Sequence, residues 1–354
     1  MLEPLAVDAR EELRAQLIAA SGFRLLTGPT PIVTAGLADL AVQEGLGPLL
    51  GARLKAGEIE ADCQTVKERL LREYYACCAH HLLREQLTAG LWEALRSRGI
   101  PVLLLKGAAL AKTVYRDPGE RPMADLDCLV PRAQWREAVH LAVKAGGSWK
   151  ISAKRRVTGT HGYAADVALQ NGMVVEIHRR LDYWPQFAVD YPGIFRRATL
   201  LESGEAVPSP EDCLLTLAIH AAKSGYVLPL RAVVDGLALV TRREIDQEEL
   251  ARRAAEWRAK RAVAAWLRTL TRFGLTGRWA ALATSIAPLK WRDRQWLGSA
   301  PWNQATLKPN HFDWNWRLRV ARLLDGPGRA AAWVVYRALT RFADVVSHRA
   351  TVGA

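Results

Sequence analysis

The chain has 354 residues, half of them apolar and about a quarter charged, enough for a large core and for more than one folding unit. Its 49 basic and 36 acidic residues leave a net charge of +13, which favours anionic partners such as nucleotides or nucleic acid, although arginines scattered through an alanine-rich chain equally make an ordinary solvated surface. The five cysteines form no CxxC pair, which excludes a disulfide framework and a zinc site and suits a reducing cytoplasm; the acidic opening MLEPLAVDAREEL excludes a signal peptide, and no apolar run is long enough to span a membrane.

The first hundred residues read as helical. Glu11 to Ala20 and Thr34 to Val42 are amphipathic candidates, the second followed by the breaks Gly45 and Gly47-Pro48. The longest predicted helix is Cys63 to Arg98, with a core stripe of Leu71, Tyr75, Cys78, Leu82, Leu87, Leu91 and Leu95, closed by Arg96, Arg98 and a Gly99 cap. His80 and His81 on it read as packed or exposed, not as ligands. The pattern changes at Ile100: IPVLLL suits a short buried strand, GAALAKTVY a helix and RDPGERP a loop. Ala124 to Val130 alternates, with Asp125, Asp127 and Leu129 on one face and Leu126, Cys128 and Val130 on the other. Pro131 starts a helix that buries Trp135, Val139 and Ala142-Val143 and ends at Gly146-Gly147. AADVALQ and MVVEIHRRL then pair across Asn171-Gly172, a strong hairpin signal, and place Val174, Glu176 and His178 on one face.

From Ser209 or Pro210 the chain is helical again, with Leu214, Leu215, Ala218, Ile219 and Ala222 as a stripe. LPLRAVVDGLALV follows, then a basic helical segment from Gln247 to Phe273 and two helices near Asp313 to Leu324 and Gly328 to Val346. The tail tryptophans Trp291, Trp296, Trp302, Trp314 and Trp316 read as core. The expected layout is α+β: a helical region 1–98, a small mixed sheet with helices over 99–207, and a helical region 208–354.

Two aspartates on one face of one strand repel unless a cation lies between them. Asp125 and Asp127 can converge on a hard cation such as Mg²⁺, and Glu176 on the hairpin can complete a three-carboxylate cluster suited to two-metal phosphoryl transfer. Lys106-Gly107, at a strand-to-helix junction, can meet a phosphate through backbone amides and a cationic head, and Arg121 can meet the same phosphates. If the two aspartates are mainly repelling charges, Asp127→Asn abolishes turnover, while without metal the variant is at least as stable as the wild type. No GxSxG, HExxH, P-loop or Rossmann fingerprint competes.

His178 either contacts the acceptor, tunes Glu176 or only packs. His220 reads as a hydrogen-bonded structural histidine. Arg231 and Asp235 are spaced for a helix-surface salt bridge. Lys154, Arg155 and Arg156 either steer an anionic substrate or form an exposed basic face.

LLLKGAAL, Tyr115 to Arg121, RPMADLDCLV and VVEIHRRL resemble the uncharacterised bacterial nucleotidyltransferase-like family within the DNA polymerase beta superfamily. SRGIPVLLLKG and SPEDCLLTLAIHAAKSG with LRAVVDGLALV extend the resemblance to about residue 270. It implies a nucleotidyltransferase fold, two Mg²⁺ ions and a nucleoside triphosphate such as ATP. It assigns Asp125, Asp127 and Glu176 to metal and catalysis, and Lys106, Gly107 and Arg121 to the nucleotide. Gly107-Ala108 replaces the usual Gly-Ser or Gly-Gly, and the longer gap to D-x-D is similar to that of nucleotidyltransferase toxins of abortive-infection systems. The resemblance implies a small-molecule or peptide acceptor, with two alternatives: a toxin-like enzyme acting on RNA, or a nucleotide-binding protein without catalysis.

Overall fold

The computed structural model describes residues 15–19, 21–22, 32–149, 163–169, 172–181, 187–226, 228–289 and 324–325. Lys154, Arg155, Arg156, Asn171, the five tail tryptophans and the last two expected helices, apart from Leu324, lie outside the described residues. Of the first expected helix, residues 15–19 are described and are helical.

Helices α1 (Ala35–Gln43) and α2 (Gly47–Lys55) lead into the long α3 (Gln64–Ser97). The Thr34 hydroxyl accepts the Leu37 N–H and caps α1. Strands β1 (Ile32–Val33) and β2 (Glu60–Ala61) pair in parallel beside them. Helix α3 runs as expected into Arg98 and a left-handed Gly99. Its first half, however, buries Leu70, Tyr74, Cys77 and His81, one residue away from the expected stripe. Tyr75 and Leu82 are 53% and 63% exposed. The doublets Leu70-Leu71, Tyr74-Tyr75, Cys77-Cys78 and His81-Leu82 offer two neighbouring stripes at the same helical spacing, and packing against α2 selects one of them.

That packing depends on Gly51. A Cβ there would lie 2.1 Å from the Leu70 carbonyl oxygen and 2.8 Å from Tyr74 Cβ. The obstacle is backbone, so the helices must separate. Gly51→Ala is expected to cost about 1–3 kcal/mol, the range for overpacking, measured by urea unfolding.

The remaining strands form one mixed sheet: β3 (Leu103–Leu104), β4 (Asp125–Leu129), β5 (Ser148–Trp149), β6 (Ala164–Ala168), β7 (Val174–His178), β8 (Thr199–Leu200) and β9 (Ala206–Val207). Their order is β5-β6-β7-β4-β3-β9-β8, with β4–β7 and β3–β9 parallel and the other pairs antiparallel. Helices α4 (Lys106–Thr113), α5 (Trp135–Lys144) and α6 (Tyr191–Arg197) are interspersed. Leu104, Leu126, Cys128, Val175 and Ile177 pack on one face against Leu91, Trp92 and Leu95 of α3 and Trp135 and Val139 of α5. Leu103, Leu105 and Leu129 point the other way, into the larger core.

That core is built by α7 (Pro210–Lys223), α8 (Leu230–Arg242), α9 (Gln247–Glu256), α10 (Lys260–Arg272) and α11 (Arg278–Ser285). Ser209 caps α7 by accepting the Asp212 N–H, with Pro210 at the first helical position. The continuous helix expected over Gln247 to Phe273 is two helices. Arg258 between them adopts φ +55°, and the turn buries Trp257 completely.

Candidate metal and nucleotide site

The register of the sheet assembles the site. Asp127 on β4 stands opposite Glu176 on β7, and Leu129 opposite His178. Asp166 on β6 stands opposite Glu176 from the other side. Alternation puts these side chains on the face that carries Leu129 into the larger core. The Leu105 N–H donates to the Asp127 carbonyl at 3.0 Å, which sets the next residue, Lys106, beside the aspartate. Lys106 Nζ donates to Asp127 Oδ1 at 2.6 Å. Lys106 also has φ +47°, rare for a residue with a side chain, so strain is stored at the junction that delivers this lysine.

His178 joins the carboxylates. Its Nε2 lies 2.8 Å from Asp127 Oδ1 and 3.4 Å from Glu176 Oε2, and its Nδ1 lies 3.3 Å from the Arg180 carbonyl. Both ring nitrogens face acceptors, the environment of an imidazolium. Burial alone would lower the His178 pKa, but the bonds to Asp127 and Glu176 raise it. Burial alone would raise Asp127, but Lys106 and His178 hold it below the carboxylate range. Burial would likewise raise Glu176, and His178 lowers it. Asp125 is shifted up, by burial and then by the neighbouring Asp127 charge.

Ligand atoms of Asp127, Glu176 and His178 lie within 4.8 Å of one another, close enough to share one ion. Two carboxylates and an imidazole fit a divalent cation once the His178 Nε2 proton leaves, with Nδ1–H held by the Arg180 carbonyl. Asp125, at the exposed start of β4 opposite Val174, is not in that group.

The Arg121 guanidinium is engaged by a different carboxylate, Asp235. Its Nε and Nη2 each donate to Asp235 at 2.7 Å and its Nη1 donates to the Pro122 carbonyl, so all three nitrogens have partners. The Tyr115 hydroxyl donates to the same carboxylate at 2.7 Å. Asp235 is therefore the buried partner of Arg121, not the surface partner of Arg231. Gly107 is buried under these groups: a Cβ there would meet Met123 Cγ at 2.9 Å and Arg121 Nη1 at 3.2 Å. In this structure its lack of a side chain serves close packing.

Three further residues border the cluster. Burial, Lys106 and Lys223 together push His220 well below the usual histidine range, and Asp127 and His178 also act on it. Lys223 Nζ donates to the Leu181 carbonyl at 2.8 Å and lies 4.1 Å from the Tyr163 ring centre, itself 5.6 Å from the His178 ring. The spacing of His220 and Lys223, one turn apart on α7, is the signal that could have marked them together. Asp166 was hidden by register. Leu169 N donates to Met173 O at 2.7 Å and Gly172 has φ +79°, so the hairpin closes on a three-residue loop. A two-residue Asn-Gly loop would have set Val167 opposite Glu176.

Among the described residues, no helix is long and apolar enough to cross a membrane. Comparison with curated proteins and with solved structures gave no match. A family model described as an uncharacterised nucleotidyltransferase matches residues 33–274, from the first strand through α10. The match spans roughly two thirds of the chain and contains every residue of the acidic cluster, and the protein belongs to this uncharacterised nucleotidyltransferase family.

Proposed function

We propose that the protein transfers a nucleoside monophosphate from a nucleoside triphosphate to a hydroxyl or phosphate of a small molecule or peptide, in a core of the DNA polymerase beta type. The observation that carries this reading is the convergence of Asp127 and Glu176, from neighbouring strands, with His178 and the Lys106 ammonium. Asp127, Glu176 and His178 would hold a divalent cation, and Asp125 at the open end of β4 would serve a second. Mg²⁺ bound there would neutralise triphosphate charge and make a hydroxyl more acidic. Lys106 balances Asp127 and is placed for a phosphate to meet, with Gly107 at the start of the helix behind it. Arg121 contributes by fixing the segment that leads into β4. The division at 98/99 and 207/208 belongs to the same proposal: every strand of the larger sheet falls between Leu103 and Val207.

The test is incubation of the purified chain with each α-labelled triphosphate, Mg²⁺ or Mn²⁺, and cell extract. The expected label resides on a species that survives ribonuclease. Label confined to RNA would favour the toxin-like alternative for which the +13 charge speaks. Salt dependence separates the two independently. An RNA acceptor predicts a log–log slope of about −0.7 per neutralised phosphate, whereas a small acceptor predicts a shallow slope. In the second case, neutralising Lys154, Arg155 and Arg156 together leaves turnover nearly unchanged. The shallow outcome is expected.

A further inference from the structure

On the face of the sheet opposite the acids, between α3 and α4, lies a cavity of about 540 Å³, the size of a small-molecule site. Its walls are largely apolar, with Trp92, Leu104, Ala108 and Leu126 among them. Two charged side chains on the wall are nearly closed off from water, Arg84 at 7% and Glu205 at 4% exposure. Arg84 Nη2 donates to the Met123 carbonyl at 2.9 Å, but its Nε and Nη1 have no hydrogen-bond partner, and neither has Glu205 Oε2. Asp125 and Cys77 act on the Arg84 charge from beyond ion-pair distance. The other charges on the wall are matched: Lys112 meets Glu85 at 3.2 Å and Arg96 meets Glu93 at 2.8 Å.

A buried charge without an ion-pair partner is costly, and folding alone gives little return for keeping two of opposite sign on one cavity. They also stand at different ends. Arg84 and Arg96 are separated along α3 by about 18 Å at the helical rise. Arg96 Nη2 donates to the Ser203 carbonyl at 3.1 Å, which puts the neighbouring Glu205 at the Arg96 end. We propose that this cavity binds an elongated small molecule with an apolar body, an anionic group that pairs with Arg84 and a cationic group that pairs with Glu205. Pairing needs the guanidinium to turn within the wall, which the flexible arginine stem allows. The site is separate from the acidic cluster and does not depend on nucleotidyl transfer.

The probe is ω-aminododecanoate, titrated calorimetrically into the full chain, with dodecanoate and dodecylamine as singly charged controls. The zwitterion is expected to bind at least tenfold more tightly than either control. Ala89→Trp, at an exposed helix position on the cavity wall, and Arg84→Met should each weaken it at least tenfold while ATP binding stays unchanged. Arg84→Met should melt no lower than the wild type, since it removes an unmatched buried charge. Absent binding, equal binding of all three probes, or binding that survives both substitutions would overturn the proposal. So would loss of ATP binding in Arg84→Met with the zwitterion still bound, which would assign the guanidinium to the nucleotide.

Discussion

Asp127→Asn is expected to lower metal-dependent nucleotidyl transfer on the order of 10³-fold, comparable to removing a main electrostatic group from an active site. The amide keeps the shape and loses the charge that three partners use: Lys106 at 2.6 Å, His178 at 2.8 Å and any bound cation. The structure reverses the stability expectation drawn from two repelling aspartates. Asp127 sits between two cationic groups, and its own pKa is held down by them despite burial. Neutralising it takes from Lys106 the carboxylate it is bonded to and leaves His178 with Glu176 alone. Complete loss of a buried partner costs about 3–5 kcal/mol, and because asparagine keeps an acceptor, the loss here should be about 1–3 kcal/mol. Urea unfolding without metal reads this directly. A variant as stable as the wild type would mean that aspartate repulsion dominates after all.

Asp235→Ala is expected to destabilise the protein by about 4 kcal/mol, because it leaves the buried Arg121 guanidinium without its bidentate partner and the Tyr115 hydroxyl without its acceptor. It should also impair transfer, although Asp235 lies outside the cluster. The Arg121 segment leads through Met123 into Asp125, and its carbonyl accepts a hydrogen bond from His81 Nε2 at 3.0 Å, so its displacement shifts the start of β4. Replacing the pair together, Arg121→Met with Asp235→Leu, should restore most of the stability, since the cost comes from the unpaired charge. Denaturant unfolding of both variants checks this. If the double variant is no better than Asp235→Ala, the ion pair is not the source of the loss.

Local pattern made much of this site legible. Alternation along DLDCL separates Asp127 from Leu126 and Cys128 because one face of β4 packs on α3 and α5 while the other meets the acids. The same period carries Glu176 and His178. What the sequence concealed was set by longer-range geometry. Arg121 lies 114 residues from Asp235, and nothing local pairs them. The doublets of α3 left two stripes equally periodic until α2 packed on one. Strands β5, β8 and β9 have two residues each, too short for any alternation to register. The break at Arg258 carries neither glycine nor proline. Asp166 needed the loop length, since one residue more or less in a hairpin turns every side chain over.

The most direct test of the central claim is a crystal of the protein grown with Mn²⁺ and a non-hydrolysable nucleoside triphosphate, with Mn located by anomalous scattering. A peak bonded to Asp127 and Glu176 is expected, with His178 beside it and the triphosphate directed at Lys106 and Gly107. Nucleotide bound elsewhere, with no Mn at these acids and Lys106 still seated on Asp127, would contradict it.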